Sequence, residues 1–240
     1  MQAHRGAILA AEVVKIQNSP LLATTSIDLA INFWDTQTFK LKQIISTPEI
    51  QQVLRYAKWG ETDKDPELLY TGGNDAIIHI YDLKNFREKS ILTGWNPFLK
   101  RDSDQKGHSG PIMDILAIKT QKLLATAALD GKICLWDVVN EKNTRTLGGD
   151  SSHLKGITCL DWYPDNNWLL SSGLDHDVFV FNTYVREKIH TLKGHAHPLV
   201  GVKCIPSAKQ LITADISGMV KVWLCLLDLG CQNNALQSKF

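Results

Sequence analysis

The chain is poor in the features that would make it secreted, membrane-spanning or metal-bound. Five cysteines in 240 residues (134, 159, 204, 225 and 231) make an odd count, and none forms a Cys-x-x-Cys pair. Such a set suits neither a disulfide framework nor a zinc ribbon. It fits a reducing, intracellular compartment. No Asn-x-Ser/Thr acceptor occurs, and no apolar run approaches the length that spans a bilayer. The N-terminal MQAHRGAILAAEVV holds a short apolar run that stops at Glu12 and Lys15, which reads as a first strand rather than a signal peptide. Net charge is +1, from 26 Lys and Arg against 25 Asp and Glu. That balance provides no field to gather nucleic acid or an anionic membrane. Catalytic and nucleotide signatures are missing too: there is no Gly-rich phosphate loop, no Gly-x-Ser-x-Gly and no His-Glu-x-x-His.

What the chain does have is short apolar runs separated by turn chemistry. From Gly107 to Asp137 it reads GHSGPIMDILAIKTQKLLATAALDGKICLWD, with runs at Ile112 to Ile118, Leu123 to Ala127 and Ile133 to Trp136. Each has the length of a strand. Asp130-Gly131 is a two-residue hairpin signal, because Gly accepts the positive φ such turns need. A lone meander cannot bury both its faces, and this one recurs. Aligned on the turn, Asp28, Asp75, Asp130, Asp175 and Ser217 are spaced 47, 55, 45 and 42 residues apart. Six residues after each comes Trp34, Tyr81, Trp136, Phe181 or Trp223; four residues before each comes Thr24, Thr71, Thr126, Ser171 or Thr213. In three copies a His precedes the turn by 22 residues: His108, His153 and His195. Fixed chemistry at such periods indicates a repeat architecture.

A His, a hydroxyl, an Asp and an aromatic at these offsets can close a hydrogen-bonded set. The carboxylate accepts from one ring nitrogen and the hydroxyl bonds the other, which satisfies polar groups inside a sheet. The expected network comprises His108, Thr126, Asp130 and Trp136, then His153, Ser171 and Asp175, then His195, Thr213 and Trp223. These are also the residue types of a catalytic triad. A reaction centre need not recur in every unit, whereas a structural clasp should, so no catalytic residue is assigned.

Gly107-His108 with Trp136-Asp137, Gly194-His195 with Trp223, Trp34-Asp35 and the variant Tyr81-Asp82 resemble the WD-repeat β-propellers, over roughly Ala7 to Trp223. The resemblance implies an all-β propeller of about five four-stranded blades around a channel. Its blades would lie near 4–45, 50–92, 107–147, 153–192 and 194–223, in a domain of 1–223 followed by a non-repeat tail, 224–240. There are departures. The second copy lacks a His at the expected place, and His4 stands 24 residues before Asp28, two too many. Phe181-Asn182 replaces Trp-Asp, Ser217 takes the fifth turn with Asp215 two residues earlier, and Leu224 follows Trp223. No strand is expected after Trp223. The ring is therefore read as a piece or splice form of a longer propeller, ahead of an unusual closed five-blade ring, with completion by another chain segment as a partner expectation. AHRGAI…AEVV, YVREKIHTLKGH and ITADISGMVKVW resemble the large EF-hand-associated WD-repeat proteins of cilia and flagella, although no calcium loop is present. This second resemblance adds cilium or cytoskeleton to a cytoplasmic expectation.

The candidate partner-binding stretch is Gly94 to Lys106, GWNPFLKRDSDQK, where Trp95, Phe98, Lys100 and Arg101 combine aromatic and cationic side chains in a long connection. His190, His195 and His197 raise a metal cluster, with His195 and His197 on one strand face, but no second ligand pair has the right spacing. Asp175-His176-Asp177 reads as a solvated turn rather than a calcium loop, and Asp63 and Asp65 as a solvated loop. Gln37, Lys84 and Val139 stand where some WD-repeat ubiquitin-ligase receptors carry Arg, which weakens that reading. The expectation is a non-catalytic scaffold for protein partners within a larger assembly, with no cofactor, metal, nucleic acid or membrane. The alternatives are a ciliary, axonemal or cytoskeletal structural protein, and a truncated propeller with little activity of its own. An enzyme working in the channel ranks last, since no convergent carboxylates are evident.

Overall fold

The computed structural model describes residues 4–16, 19–62, 65–93, 107–147, 153–185, 187–226, 230–232 and 238–239, with backbone alone from 225 onward. Five antiparallel sheets follow one another along the chain. The first joins β1 (Ile8–Ile16), β2 (Ser19–Ser26), β3 (Ala30–Asp35) and β4 (Leu41–Ser46). The second joins β5 (Gln51–Lys58), β6 (Glu67–Gly73), β7 (Ile78–Asp82) and β8 (Arg87–Leu92). The third holds β9 (Ile112–Ile118), β10 (Leu123–Ala128), β11 (Ile133–Asp137) and β12 (Lys142–Leu147). The fourth holds β13 (Ile157–Tyr163), β14 (Trp168–Gly173), β15 (Val178–Asn182) and β16 (Lys188–Leu192). The fifth begins with β17 (Leu199–Ile205), β18 (Gln210–Asp215) and β19 (Met219–Leu226).

The sheet then gains strands where none was expected. β20 (Gly230–Gln232) pairs with Leu224 to Leu226, and β21 (Ser238–Lys239) pairs with Met219 and Val220. The tail lacks a repeat motif, but a strand needs main-chain donors and acceptors rather than a motif. That is why the pattern stopped at Trp223 and the sheet did not.

Burial explains the apolar runs. Middle strands are covered on both faces: β6 and β14 are buried throughout, and β7, β11 and β15 are buried except for their last residue. Strands covered on both sides read as continuous apolar runs rather than alternating ones. The fourth strands β4, β8 and β12 are mostly exposed or half-buried and carry LKQIIS, REKSIL and KNTRTL. Charge on such an edge discourages pairing with another chain.

The chain divides into two compact units, Met1–Ala125 with Trp136–Thr144, and Thr126–Leu135 with Arg145–Phe240. In the first, Val14, Ile31 and Phe33 of the first sheet pack with Leu54, Leu69 and Tyr81 of the second. Arg55 on β5 bonds the Ile115 carbonyl oxygen at 2.8 Å and lies 3.8 Å from Glu12 and 3.9 Å from Asp114. In the second unit, Trp168, Leu170, Val178 and Val180 pack with Val202, Leu211 and Trp223. Asp161 on β13 accepts Lys203 Nζ at 2.9 Å and the Cys204 N–H at 2.6 Å. The Cys204 thiol also donates to Asp161, and burial together with that bond pushes the thiol's pKa up. Within each unit, first strands of neighbouring sheets are thus tied by charge as well as by apolar packing.

Turns follow from local chemistry. Gly131 takes φ +75 and its N–H bonds the Ala128 carbonyl oxygen at 3.2 Å. In the first four sheets the side chain after the aromatic caps the turn into the fourth strand. Asp35 Oδ1 accepts the N–H of Gln37 and of Thr38 at 2.9 Å, and Asp137 Oδ1 accepts those of Val139 at 2.8 Å and Asn140 at 3.1 Å. Asn182, the departure in the fourth copy, does the same for Tyr184 at 2.9 Å and Val185 at 3.3 Å. An amide oxygen is as good an acceptor here as a carboxylate.

Candidate functional site

The recurrent polar set forms where β2, β14 and β18 meet their own turns. In the fifth sheet His195 Nε2 lies 2.7 Å from Thr213 Oγ1, and its Nδ1 lies 2.7 Å from Asp215 Oδ2. Trp223 Nε1 donates to Thr213 Oγ1 at 2.9 Å. The first sheet repeats this: His4 Nε2 to Thr24 Oγ1 at 2.9 Å, His4 Nδ1 to Asp28 Oδ2 at 3.0 Å, and Trp34 Nε1 to Thr24 Oγ1 at 2.9 Å. A ring protonated at Nδ1 satisfies every partner: it donates to the carboxylate and accepts from the hydroxyl, which accepts from the indole. His4 therefore fills the slot despite its offset of 24, because the two extra residues lie in the longer β1–β2 hairpin: Ile8 pairs with Ser26, whereas the equivalent Ile157 pairs with Gly173.

The fourth sheet keeps the set but changes its surroundings. His153 Nε2 meets Ser171 Oγ at 2.8 Å and Nδ1 meets Asp175 Oδ1 at 2.7 Å. Phe181 has no N–H for Ser171. Instead Phe179 stacks on the His153 ring, centroids 4.2 Å apart at 25°. Lys188 Nζ sits 4.1 Å from the Phe179 centroid. In the second sheet Gln51 stands in the His slot, its Oε1 accepting from Thr71 at 2.8 Å. The carboxylate is held from elsewhere: His79 Nε2 is 2.8 Å from Asp75 and its Nδ1 is 2.6 Å from Glu88. Both ring nitrogens face carboxylates. Burial works against charge on that ring, but the two acidic partners outweigh it and raise the His79 pKa.

The fifth turn keeps the alignment but takes its carboxylate from another position. Asp215, not a residue at the position of Ser217, holds His195. It reaches the ring from the place of Gly173 in the fourth sheet, where an added Cβ would run into His153 Nδ1. Ser217 donates its N–H to Asp215 Oδ1 at 2.9 Å and its hydroxyl at 2.6 Å, and Met219 N–H adds a third bond at 3.2 Å. Burial raises the Asp215 pKa, yet these bonds and that of His195 bring it well below the usual carboxylate range. Asp28 and Asp175 are lowered in the same way, burial opposing and the hydrogen bonds prevailing.

In the third sheet Thr126 and Trp136 are buried, while His108 and Asp130 are half-buried. Thr126 Oγ1 donates to the Cys134 carbonyl oxygen at 3.5 Å, and Asp130 Oδ1 accepts the Lys132 N–H at 3.0 Å.

His153, Ser171 and Asp175 have the distances of a nucleophile, base and orienter. Ser171 is fully buried, however, and no substrate carbonyl could reach its hydroxyl. Trp95, Phe98, Lys100 and Arg101 lie outside the described residues, as does Asp63. His195 and His197 sit in a loop before β17, not on a strand face as expected. His190 lies on β16 edge-on to Trp168. Among the described residues no three His, Cys, Asp or Glu side chains gather as metal ligands. Asp65 accepts the Thr62 hydroxyl and N–H at 2.7 Å, bonds that lower its pKa. Two features had no sequence signal. Ile27, Leu129 and Ile216, each just before the aligned turn residue, are exposed, as is Leu154 at 90%. An open cleft of about 340 Å³ lies against the fifth turn, lined by Gly194, Ala196, His197, Ser217, Met219 and Lys221 among others.

The family model for the WD domain, G-beta repeat, matches residues 100–137, 142–182 and 186–223. Cilia- and flagella-associated protein 337 B of Tetrahymena thermophila is 36% identical over 156 residues, 65% of this chain and 11% of that protein. A WD repeat-containing protein of Schizosaccharomyces pombe is 24% identical over 154 residues, 53% of this chain and 29% of that protein. The COMPASS component SWD3 of Saccharomyces cerevisiae is 26% identical over 129 residues, covering 50% of this chain and 40% of that protein. The chain spans less than half the length of each of these relatives. Three matched repeats, relatives of the same kind and a sheet plan built five times over agree: this chain belongs to the WD-repeat proteins, in the β-propeller fold class.

Proposed function

We propose that the chain is a non-catalytic interaction scaffold that holds protein partners in a larger intracellular assembly. One observation carries this reading. The groups able to do chemistry are used up in repeated, buried clasps, while the turns beside them offer apolar side chains to solvent: Ile27, Leu129 and Ile216, at one shared position, are exposed. Single exposed apolar residues are ordinary; the same exposure recurring at one position of three sheets is a pattern that partner contact would explain. The connection from Gly94 to Lys106, with Trp95, Phe98, Lys100 and Arg101, is the second contact region in this reading. Affinity capture with the 240-residue chain tests it, beside Ile27→Asp, Leu129→Asp and Ile216→Asp combined and beside a chain lacking Gly94 to Lys106. Loss of co-purifying proteins from either variant is expected. Full retention of every partner by both removes the reading.

A second reading is a ciliary or cytoskeletal structural role, which the relative named for cilia and flagella favours. Co-sedimentation of the purified chain with microtubules separates the two. Completion of the fifth sheet by a segment of another chain belongs to both readings: β19 pairs β21 at Met219 and Val220 and β20 from Leu224, with no strand partner between them on that side among the described residues.

A further inference from the structure

The shift of the clasp carboxylate from the position of Ser217 to Asp215 leaves one donor over beside the fifth turn, and a second, peculiar to this sheet, stands next to it. In the first and fourth sheets the N–H after the clasp His donates to the turn Asp: Arg5 N to Asp28 Oδ2 at 2.8 Å and Leu154 N to Asp175 Oδ2 at 3.2 Å. The counterpart in the fifth sheet is Ala196 N–H, and it makes no such bond to Asp215 among the described residues. Ser217 occupies the place of the absent carboxylate, and its hydroxyl turns away to Asp215. The second donor is Lys221, on β19 opposite Thr213. Its side chain is 7% exposed, and its ammonium bonds the Gly194 carbonyl oxygen. No carboxylate of the described residues lies within ion-pair reach of it. Burying an ammonium without an anion is costly, and the corresponding positions of the other sheets hold Asn32, His79, Cys134 and Phe179, none of them a lysine. Ala196, Ser217 and Lys221 all line the same open cleft of about 340 Å³.

We propose that this cleft binds a carboxylate of a partner peptide, which takes the place of the missing turn Asp between Ala196 N–H and the Lys221 ammonium. The His197 ring, exposed at the rim, and the Ser217 hydroxyl lie beside it. Charge selects a carboxylate over a phosphate. The cleft offers one ammonium, and the Asp215 in its lining is already held by His195, Ser217 and Met219, so one added charge is matched and the second charge of a dianion is not; phosphate sites rely on several cations or an Arg fork. The proposal rests on the scaffold reading and names the chemistry of one contact within it.

The test is a titration of the isotopically labelled 240-residue chain by NMR. The probes are acetyl-Ala-Ala-Glu-Ala-Ala-amide, its Gln counterpart as an amide, the same Gln peptide with a free C-terminus, and inorganic phosphate. Saturable shifts of Gly194, Ala196 and Ser217 with the Glu peptide identify a side-chain carboxylate; shifts with the free C-terminus identify a terminal one. The Gln amide should give none. Lys221→Met should weaken binding about tenfold or more, the loss of a charge-assisted bond, and should raise the melting temperature, because a buried uncompensated charge is removed. Asp215→Gly with Ser217→Asp rebuilds the fourth sheet's arrangement and should fill the site from within, abolishing binding while the chain stays folded. No saturable shift with either carboxylate, tighter binding of phosphate, or undiminished binding by Lys221→Met overturns the proposal. A fall in melting temperature in Lys221→Met also overturns it, since the lysine would then be a structural tie to Gly194. Partners retained by Lys221→Met but lost with the exposed turn residues would sink this site and leave the scaffold reading standing.

Discussion

The second and fifth sheets have the same slots and fill them with different atoms. In the fifth, an imidazole links a carboxylate to a hydroxyl, and the indole of Trp223 completes the chain of bonds. In the second, Gln51 satisfies the hydroxyl and a different histidine, His79, grips the carboxylate from β7 with Glu88 on its far side. The backbone is the same meander, so the fold specifies a demand: one buried hydroxyl and one turn carboxylate must each find a partner. It does not specify who answers. The consequence is electrostatic. The fifth clasp depends on an anion with a lowered pKa, the second on a cation with a raised one.

The largest effect should come from emptying the fifth clasp. His195→Ala leaves a buried carboxylate and a buried hydroxyl without their partner, and should cost about 3 kcal/mol. For a chain of this size that lowers the melting temperature by roughly 6–12 °C. His79→Ala should cost about 1 kcal/mol, because Glu88 is exposed and water can replace the lost bond. Equal melting shifts in the two variants would break the contrast.

The pH response should separate the sheets by sign. Asp28, Asp175 and Asp215 have lowered pKa values, so their contribution is complete above about pH 4, the unfolded value. It fades as pH falls from there through the folded values. His79 has a raised pKa, so its contribution is complete below about pH 6.5 and fades as pH rises through its folded value. Melting curves from acid to alkaline pH check this. The stability difference between wild type and His79→Gln should shrink on the alkaline side, and that between wild type and Asp215→Asn on the acid side. A His79→Gln difference that grows with pH would refute the cation.

Smaller changes sharpen the comparison with the fourth sheet. Trp223→Phe converts the fifth clasp toward the Phe181 arrangement and removes one N–H to Thr213, for about 1 kcal/mol. Calorimetry should show a drop of a few degrees. Asn182→Asp should be nearly neutral, within about 0.5 kcal/mol, because either side chain accepts the N–H groups of Tyr184 and Val185; a marked fall would mean that the amide nitrogen has a role of its own.

Much of this was legible in the linear chain. The hydroxyl and aromatic positions recur at fixed offsets because adjacent strands of a meander hold fixed register, so Thr24 faces Asn32 and Thr213 faces Lys221 whatever the loops do. His4 was misjudged because register does not fix how long a hairpin is, and the β1–β2 hairpin is two residues longer than β13–β14. Gln51 was missed because another side chain can answer the same demand. Asp215 was noted but given no role, because spacing does not say which way a side chain two residues from the turn points; the collision that a side chain at Gly173 would make shows that this position aims at the His. The apolar exposure at Ile27, Leu129 and Ile216 and the uncompensated charge of Lys221 have no linear signature at all.

By itself the sequence determined the repeat, its strands and its turn chemistry, because these depend on near neighbours and on short-range periodicity. Tertiary structure alone decided which carboxylate meets which ring, how the tail extends the fifth sheet, and where a buried charge goes unanswered. Those outcomes depend on directions in space between residues far apart in the chain, and spacing along a chain does not encode direction.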